Sequence, residues 1–564
     1  MRVWTRRRQP SVAHRLACRG KRNICRIGTV LLCSIFFRQL AWTFGVSIVM
    51  IALFAGLGIA MEPKWSVKPL SMHLQVTERS TTIKARGITT PQEGTYQVRQ
   101  TRLRLPISDG KTVNAILREP EHAPGGRAAC VFVHGAGTGK AEEVYADLAN
   151  ALASAGITTL VQDKRLDNYT PLHRDYNSSA EDYLAGLNLL RTQQGVDARK
   201  VGLYAESEGT WIASVMTHKD RHIAFQVLTS APVYSGRQQM AMAATEYLNI
   251  IGAPGGVVDI IPRLLSLNFA PIGLEYADFN ATDYRDTLTM PLLIDYGTID
   301  PSMPVEQGAH QLIEDARVAG NSNVVVRYYP TNHQMRTGSS LSLPGLPLDK
   351  DYTHNLEDWI NAIAAGATED DWQTPDIAGA RPYQEYAIPE NISSGLVSSV
   401  WVLVVLIVVC LVSWLLTVVF CIGAVVSRKR VEAKTVDDSG HIVVHRFTML
   451  SKVLIITNIV LLPICAAGFL GYFAFTAKAA LSLTDEATML SFGWSMLRLG
   501  SMVLIVMNSW MWVRMFFFYG PGNIDKEYPK TAMRMASGHT ATVALLSVSV
   551  LCALVLSSFF GLIG

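Results

Sequence analysis

Charge is scarce in this chain. Only 17% of its 564 residues are Asp, Glu, Lys or Arg, and its mean hydropathy is +0.21. That composition excludes an ordinary soluble protein and points to membrane segments. Acid is missing altogether from the first 38 residues, which hold ten Lys or Arg. Cysteine is nearly missing from the middle. Of eight, Cys18, Cys25 and Cys33 lie in the basic leader and Cys410, Cys421, Cys465 and Cys552 in apolar C-terminal stretches, which leaves Cys130 alone. No disulfide can form within the central region, so packing must hold a core that roughly 300 residues are ample to build. Cys130 falls in an apolar run and reads as a small buried hydrophobe. Internal repeats and low-complexity tracts are also absent.

What is present begins with an uncharged stretch from Gln39 to Met61, long enough to cross a bilayer. With residues 1–38 as a basic cytoplasmic leader, 39–61 reads as a signal anchor. A transit peptide or nucleic-acid arm would share the basic leader but not the apolar stretch beside it, so no nucleic-acid partner is expected. Gly58-Ile59-Ala60 has the look of a signal-peptidase site, and the length of the leader favours retention. Four further spans are expected near 397–426, 453–477, 494–518 and 541–563, within a transmembrane region of residues 396–564. The lipid bilayer is thus the first expected partner.

Charge tests the topology. The loops expected inside carry Arg428, Lys429, Arg430, Lys434 and Arg446, then Lys526, Lys530 and Arg534, whereas the loop expected outside offers Lys478 against Asp485 and Glu486. All obey the positive-inside rule and turn the central region outward, at the plasma membrane. Within the spans, Arg498 and Arg514 are expected to snorkel, and Asn458, Asn508 and His539 to join helices by hydrogen bonds.

From 65 to 368, short apolar runs alternate with longer helix-compatible stretches, the signature of βα units and a mostly parallel sheet. The expected class is α/β, a mostly parallel sheet flanked by helices, plus five transmembrane helices. Strands are expected at 128–133, 157–162, 200–206, 224–230, 291–296 and 324–329. Helices are expected at 140–155, 179–192, 209–218, 304–318 and 353–365. Residues 73–119 read as an antiparallel entry turning at Ser108-Asp109-Gly110, and 231–286 as a cap insertion. Residues 369–395, acidic and Pro-containing, read as a linker.

Chemistry concentrates at three places. Val201 to Ala205 runs as an apolar strand into Ala205-Glu206-Ser207-Glu208-Gly209, a small-x-Ser-x-Gly turn that opens a helix. Small residues at 205 and 209 let strand and helix approach, so Ser207 projects beside the positive helix end. A serine nucleophile needs a base, and the base an acid. Asp300 follows a buried strand in Gly297-Thr298-Ile299-Asp300-Pro301; its rival, Asp295, lies within the strand. His333 follows the next strand, so all three groups meet at one sheet edge in the required order.

With Val131-Phe132-Val133-His134-Gly135-Ala136-Gly137 and Asp163-Lys164-Arg165, the chain over about 300 residues resembles the α/β-hydrolase superfamily, of the dienelactone-hydrolase, serine-aminopeptidase and prolyl-oligopeptidase kinds. The resemblance implies a Ser207, Asp300, His333 triad, an oxyanion hole formed by the amides of Ala136 and Glu208, and a structural role for His134. Leu166 stands where the family has glycine, so the loop after the second candidate strand is expected to be built differently. Glu206 and Glu208 flank the nucleophile; their side chains are expected to diverge from it, one of them pairing with a neighbour or selecting a cationic substrate. The apolar cap fits either a lipid-like acyl substrate or packing onto the core.

These features imply a serine hydrolase acting on a small-molecule or lipid acyl ester through an acyl-enzyme. An acyltransferase or a serine peptidase would use the same residues, and a receptor or transporter accessory would keep the fold without turnover. No cofactor or metal is expected, since the central histidines and acids show no ligand spacing. Asn168, Asn177, Asn280 and Asn391 begin Asn-x-Ser/Thr sites.

Overall fold

The computed structural model describes residues 37–137, 139–434, 449–519 and 530–564. The leader up to residue 36, and most of the two loops on which the charge test rests, lie outside the described residues. The chain divides into two compact units, one within 1–61, 401–474 and 491–564, the other made of 62–400 and 475–490.

In the first unit, α1 (Phe37–Ala60) is one of five helices among the described residues that are long and apolar enough to cross a membrane. The second unit is built on a nine-stranded sheet ordered β1-β2-β4-β3-β5-β6-β7-β8-β9. Strands β1 (Val98–Pro106) and β2 (Thr112–Pro120) form an antiparallel hairpin, and β2 runs antiparallel to β4. The hairpin turns through Asp109, whose φ of 55° is left-handed, and Gly110. The antiparallel entry begins only at Val98, not at 73: ahead of it the chain makes isolated bridges, Pro69 with Tyr386 and Ala85 with Trp372. Proline and glycine at Pro91, Gly87 and Gly94 break the alternation that a strand needs.

The remaining strands pair in parallel: β3 (Arg127–Val133), β4 (Thr158–Gln162), β5 (Val196–Glu206), β6 (Gln226–Thr229), β7 (Leu292–Gly297), β8 (Val324–Tyr329) and β9 (Ile377–Gly379). Parallel strands are covered on both faces, which is why β7 and β8 are buried at every residue. Successive side chains enter opposite cores. Val131, Leu203 and Ala205 pack with Tyr183 and Leu187 of α3 (Tyr176–Arg191) and Ile212 and Val215 of α4 (Glu208–Lys219). Phe132 and Tyr204 pack with Leu148 and Leu152 of α2 (Ala146–Ser154) and with Leu356, Trp359 and Ile360 of α9 (Tyr352–Ala364). Burying each such side chain is worth about 1.5–3 kcal/mol.

Between β6 and β7 lie α5 (Gly236–Ile250), α6 (Gly255–Val258), α7 (Ile260–Leu265) and short 3-10 turns; α8 (Val305–Val318) joins β7 to β8. Much of the apolar content of this insertion is spent inward, with Met242, Leu248, Val257, Ile260 and Leu267 buried. The stretch read as a linker contributes β9 and Gln384, so it belongs to the sheet's edge. Glu306 of α8 is 1% exposed and accepts hydrogen bonds from the Leu74 amide, the Gln384 amide at 2.7 Å and His73 Nδ1 at 2.9 Å.

The other four long helices are α10 (Val400–Lys434), α11 (Met449–Ser482), α12 (Ala487–Tyr519) and α13 (Lys530–Phe559). Their polar residues depart from expectation. Arg514 is buried, donating to Ser451 Oγ at 3.1 Å and Gln39 Oε1 at 3.2 Å. Arg498 donates to the Gly564 carbonyl. Asn458 bonds the Leu454 carbonyl of its own helix, and Asn508 is buried without a hydrogen-bond partner among the described residues. Helices are joined instead by Trp414 Nε1 to Ile459 O at 2.9 Å and Trp512 Nε1 to Ser547 Oγ at 2.7 Å. The side chain of His539 lies outside the described residues.

Candidate active site

Strand β5 and helix α4 meet at Ser207, whose φ of 55° and ψ of −128° lie outside the regions an L residue favours. Surroundings that over-determine the backbone hold it there. Its amide donates to Thr229 O of β6 at 2.9 Å, and its carbonyl accepts from the Thr210 amide at 2.9 Å. Gly209 is required by the approach of α4 to β3, since a Cβ there would stand 2.3 Å from the Val133 carbonyl oxygen. On Gly135 a Cβ would reach 3.1 Å from Ser207 Cβ, which places the loop after β3 against the serine.

Asp300, just beyond β7, has a fully buried side chain. It accepts from His333 Nδ1 at 2.7 Å, Ser302 Oγ at 2.6 Å and the Ser302 amide at 2.8 Å. Burial would raise its pKa, but the imidazole and the Ser302 bonds outweigh that and hold the carboxyl below the usual carboxylate range. The His333 pKa moves up: burial opposes the cation, and the charges of Asp300 and then Glu206 overcome it. Asp295 is no rival. Both its oxygens are buried with no hydrogen-bond partner among the described residues, and burial drives its pKa well up, toward the neutral acid.

The structure joins His333 to Asp300 and brings Ser207 to the end of the same sheet. With Nδ1 committed to Asp300, Nε2 is the imidazole's free edge, and among the described residues neither Nε2 nor Ser207 Oγ has a hydrogen-bond partner. Apo sites often close such contacts only around substrate. Three residues absent from the sequence reading fix the histidine. Ser302 Oγ lies 3.2 Å from Nδ1; Ser230 Oγ donates to the His333 carbonyl at 2.8 Å; buried Asn332 accepts from the amides of Gln334 and Arg336 at 3.0 and 3.1 Å. Their only sequence signal is a small polar residue near a strand end, which is too common to single out.

Ala136 lies exposed in the loop after β3, and Glu208 is the first residue of α4, where a helix leaves its amides without intrahelical acceptors. His134 is buried, and burial takes its pKa down to about 4. Its Nε2 lies 2.6 Å from the Gln162 carbonyl, so this nitrogen carries the proton.

The two glutamates beside Ser207 have different surroundings. Glu208 is buried and accepts from Lys164 Nζ at 3.0 Å, Tyr169 OH at 2.6 Å, Tyr176 OH at 2.8 Å and the Arg174 guanidinium. Against the cost of burial, Lys164 and Arg174 hold its pKa down. Lys164, Tyr169 and Arg174 all come from the loop after β4, in which Leu166 is exposed. Lys164 also donates to the Gly135 carbonyl at 2.8 Å and sits 3.8 Å over the Tyr169 ring. The Glu206 pKa is pushed up to about 7 by burial, against the charges of His333 and Arg336.

No protein-family model and no curated protein matches the chain. Solved structures do resemble it. A putative dienelactone hydrolase from Klebsiella pneumoniae is 14% identical with a TM-score of 0.34, the match covering 48% of this chain and 100% of that one. Brefeldin A esterase, a bacterial homologue of human hormone sensitive lipase, is 17% identical with a TM-score of 0.33, covering 58% and 86%. A putative dipeptidyl aminopeptidase IV from Bacteroides ovatus is 16% identical with a TM-score of 0.33; half of this chain spans 36% of its length. The architecture is decided by the chain's own strand order, with its antiparallel opening hairpin, the β4-β3 exchange and the parallel run from β3 to β9: residues 62–400 have the α/β-hydrolase fold.

Proposed function

We propose that the chain is a membrane-anchored serine hydrolase of carboxylic esters, its catalytic domain on the outer face of the plasma membrane. The observation that carries the reading is the 2.7 Å bond between His333 Nδ1 and Asp300, made from the ends of β8 and β7, with a strained Ser207 at the end of β5. His333 Nε2 takes the Ser207 proton as Oγ attacks the acyl carbonyl, and Asp300 holds the imidazole and stabilises its cation. Developing charge on the carbonyl oxygen is met by the amides of Ala136 and Glu208, each worth about 2.7–4 kcal/mol in comparable sites. The histidine then returns its proton to the leaving alcohol. Water, activated by the same imidazole, frees the acid and restores Ser207.

Orientation rests on the basic residues Arg428, Lys429, Arg430 and Lys434 at one end of α10, and on a contact within the second unit. The Glu486 amide of the turn between α11 and α12 donates to the Ile251 carbonyl at 3.1 Å, which supports a shared side for that turn and the hydrolase domain.

Labelling the full chain in membranes with a membrane-impermeant fluorophosphonate tests the reading. A covalent adduct, lost in Ser207→Ala, is expected from cells with intact envelopes. Folded protein that never labels would instead favour a scaffold. A panel of acyl esters with and without added hydroxyl acceptors, and of short peptides, then separates ester hydrolysis from acyl transfer and peptide cleavage.

A further inference from the structure

Glu93, His354 and Glu357 bring one possible ligand atom each to within 4.8 Å of one another. His354 and Glu357 share a face of α9, three residues apart. Glu93 arrives from the segment ahead of β1, 264 residues before Glu357, which is why ligand spacing in the sequence misses the cluster.

Glu357 is the unusual member. Its side chain is 0% exposed, whereas that of His354 is 47% exposed. Glu357 Oε2 accepts from the Glu93 amide at 3.0 Å and lies 3.5 Å from His354 Nδ1, while Oε1 is buried with no hydrogen-bond partner among the described residues. That oxygen has acceptor capacity left for a cation. The Glu93 carboxylate is itself steadied by Thr353 Oγ1 at 3.1 Å. Two carboxyl groups thus converge with one imidazole.

We propose that Glu93, His354 and Glu357 form a binding site for a borderline divalent cation of the zinc class, with water completing a tetrahedral shell. One nitrogen and two oxygen donors suit zinc, whereas magnesium and calcium favour shells of oxygen alone. The ion would clamp the segment before β1 to α9, the helix that follows the His333 loop, and would hold the fold together without entering the ester chemistry.

The test uses the full chain in detergent, without a histidine tag, stripped with a chelator and supplied with zinc chloride at tens of micromolar. About one bound zinc per chain and a melting temperature raised by several degrees are expected, because a ligand of the native state stabilises it. Magnesium or calcium chloride at the same concentration should give no rise. Glu93→Gln and His354→Ala replace exposed side chains and so leave the fold intact; each should abolish the rise and most of the binding. Glu357→Gln, which keeps the size and removes the acid, should melt near the metal-free parent and ignore zinc. The proposal is overturned if the parent binds no zinc, if either exposed-site variant binds as the parent does, or if magnesium or calcium stabilises where zinc does not.

Discussion

Lys164 Nζ lies 2.8 Å from the carbonyl oxygen of Gly135, and that carbonyl belongs to the same peptide unit as the N–H of Ala136. A trans peptide is planar, so its C=O and N–H point in opposite directions. An ammonium held on the oxygen therefore fixes the direction of the Ala136 N–H and strengthens it as a donor. The same Nζ lies 3.0 Å from Glu208 Oε2, so one side chain joins the peptide of one proposed oxyanion donor to the carboxylate of the residue that carries the other.

Lys164→Met keeps the length and removes the charge. On the order of a tenfold to hundredfold loss of kcat/KM is expected, with KM little changed, since the lost stabilisation belongs to the transition state. Stability should fall by less than about 3–5 kcal/mol, the cost of stranding one member of a buried pair, because Arg174 and the hydroxyls of Tyr169 and Tyr176 still hold Glu208. Adding Glu208→Gln to the same chain should recover little of the rate and lower stability further, because Arg174 then loses its carboxylate. Thermal melts and ester kinetics on the single and double variants measure both.

The backbone at Ser207 supplies a second expectation. A non-glycine residue at such angles costs of the order of 1–3 kcal/mol, and glycine avoids most of that. Ser207→Gly and Ser207→Ala should both be inert toward fluorophosphonate, yet the glycine variant should be the more stable by about 1 kcal/mol or more. Equal melting temperatures would argue against a strained turn.

For pH, the sign follows from His333. Its folded pKa lies above the ordinary 6.5, and the base works only when neutral, so the acid limb of kcat/KM should fall at higher pH than for a free imidazole. The stability contributed by this histidine is present below its unfolded pKa and lost as pH rises through the folded one, so it declines where activity appears. Glu206→Gln removes a charge that raises His333 and should move the limb to lower pH. Asp300→Asn should move it further and lower kcat on the order of 10⁴-fold. A pH series on the three proteins decides.

Gly209→Ala should be worse than its chemistry suggests. Alanine normally favours a helix, but here its Cβ would stand 2.3 Å from the Val133 oxygen and 3.0 Å from that of His134, both backbone atoms. A loss of about 1–3 kcal/mol or more is expected, because backbone cannot step aside cheaply. Denaturant unfolding of the variant would show it.

The parallel strands were legible because strands covered on two faces read as largely apolar runs; Leu292 to Tyr296 and Val324 to Tyr329, each interrupted by a single charged residue, are examples. At the edges the reading failed for the opposite reason. Residues 73–97 lack alternation and pair at isolated points, and Ile377–Gly379 is too short and too close to prolines to announce a strand. At the site, Ser207, Asp300 and His333 stood out through their order and their place at strand ends. The partners of Glu208 did not, because Lys164, Tyr169 and Arg174 sit in a loop whose path depends on tertiary contacts. The cluster of Glu93 with α9 is hidden further still, since only folding makes these residues neighbours.

Glu306 also bears on where the hydrolase domain can be cut. Its carboxylate holds chain that enters the domain, through His73 and Leu74, and chain that leaves it, through Gln384. A secreted fragment trimmed to residues 75–380 would expose the flank of α8 and leave the Glu306 carboxylate without the His73, Leu74 and Gln384 groups that hold it. Fragments that retain both flanking strips should fold and resist proteases, and shorter ones should be cleared by them.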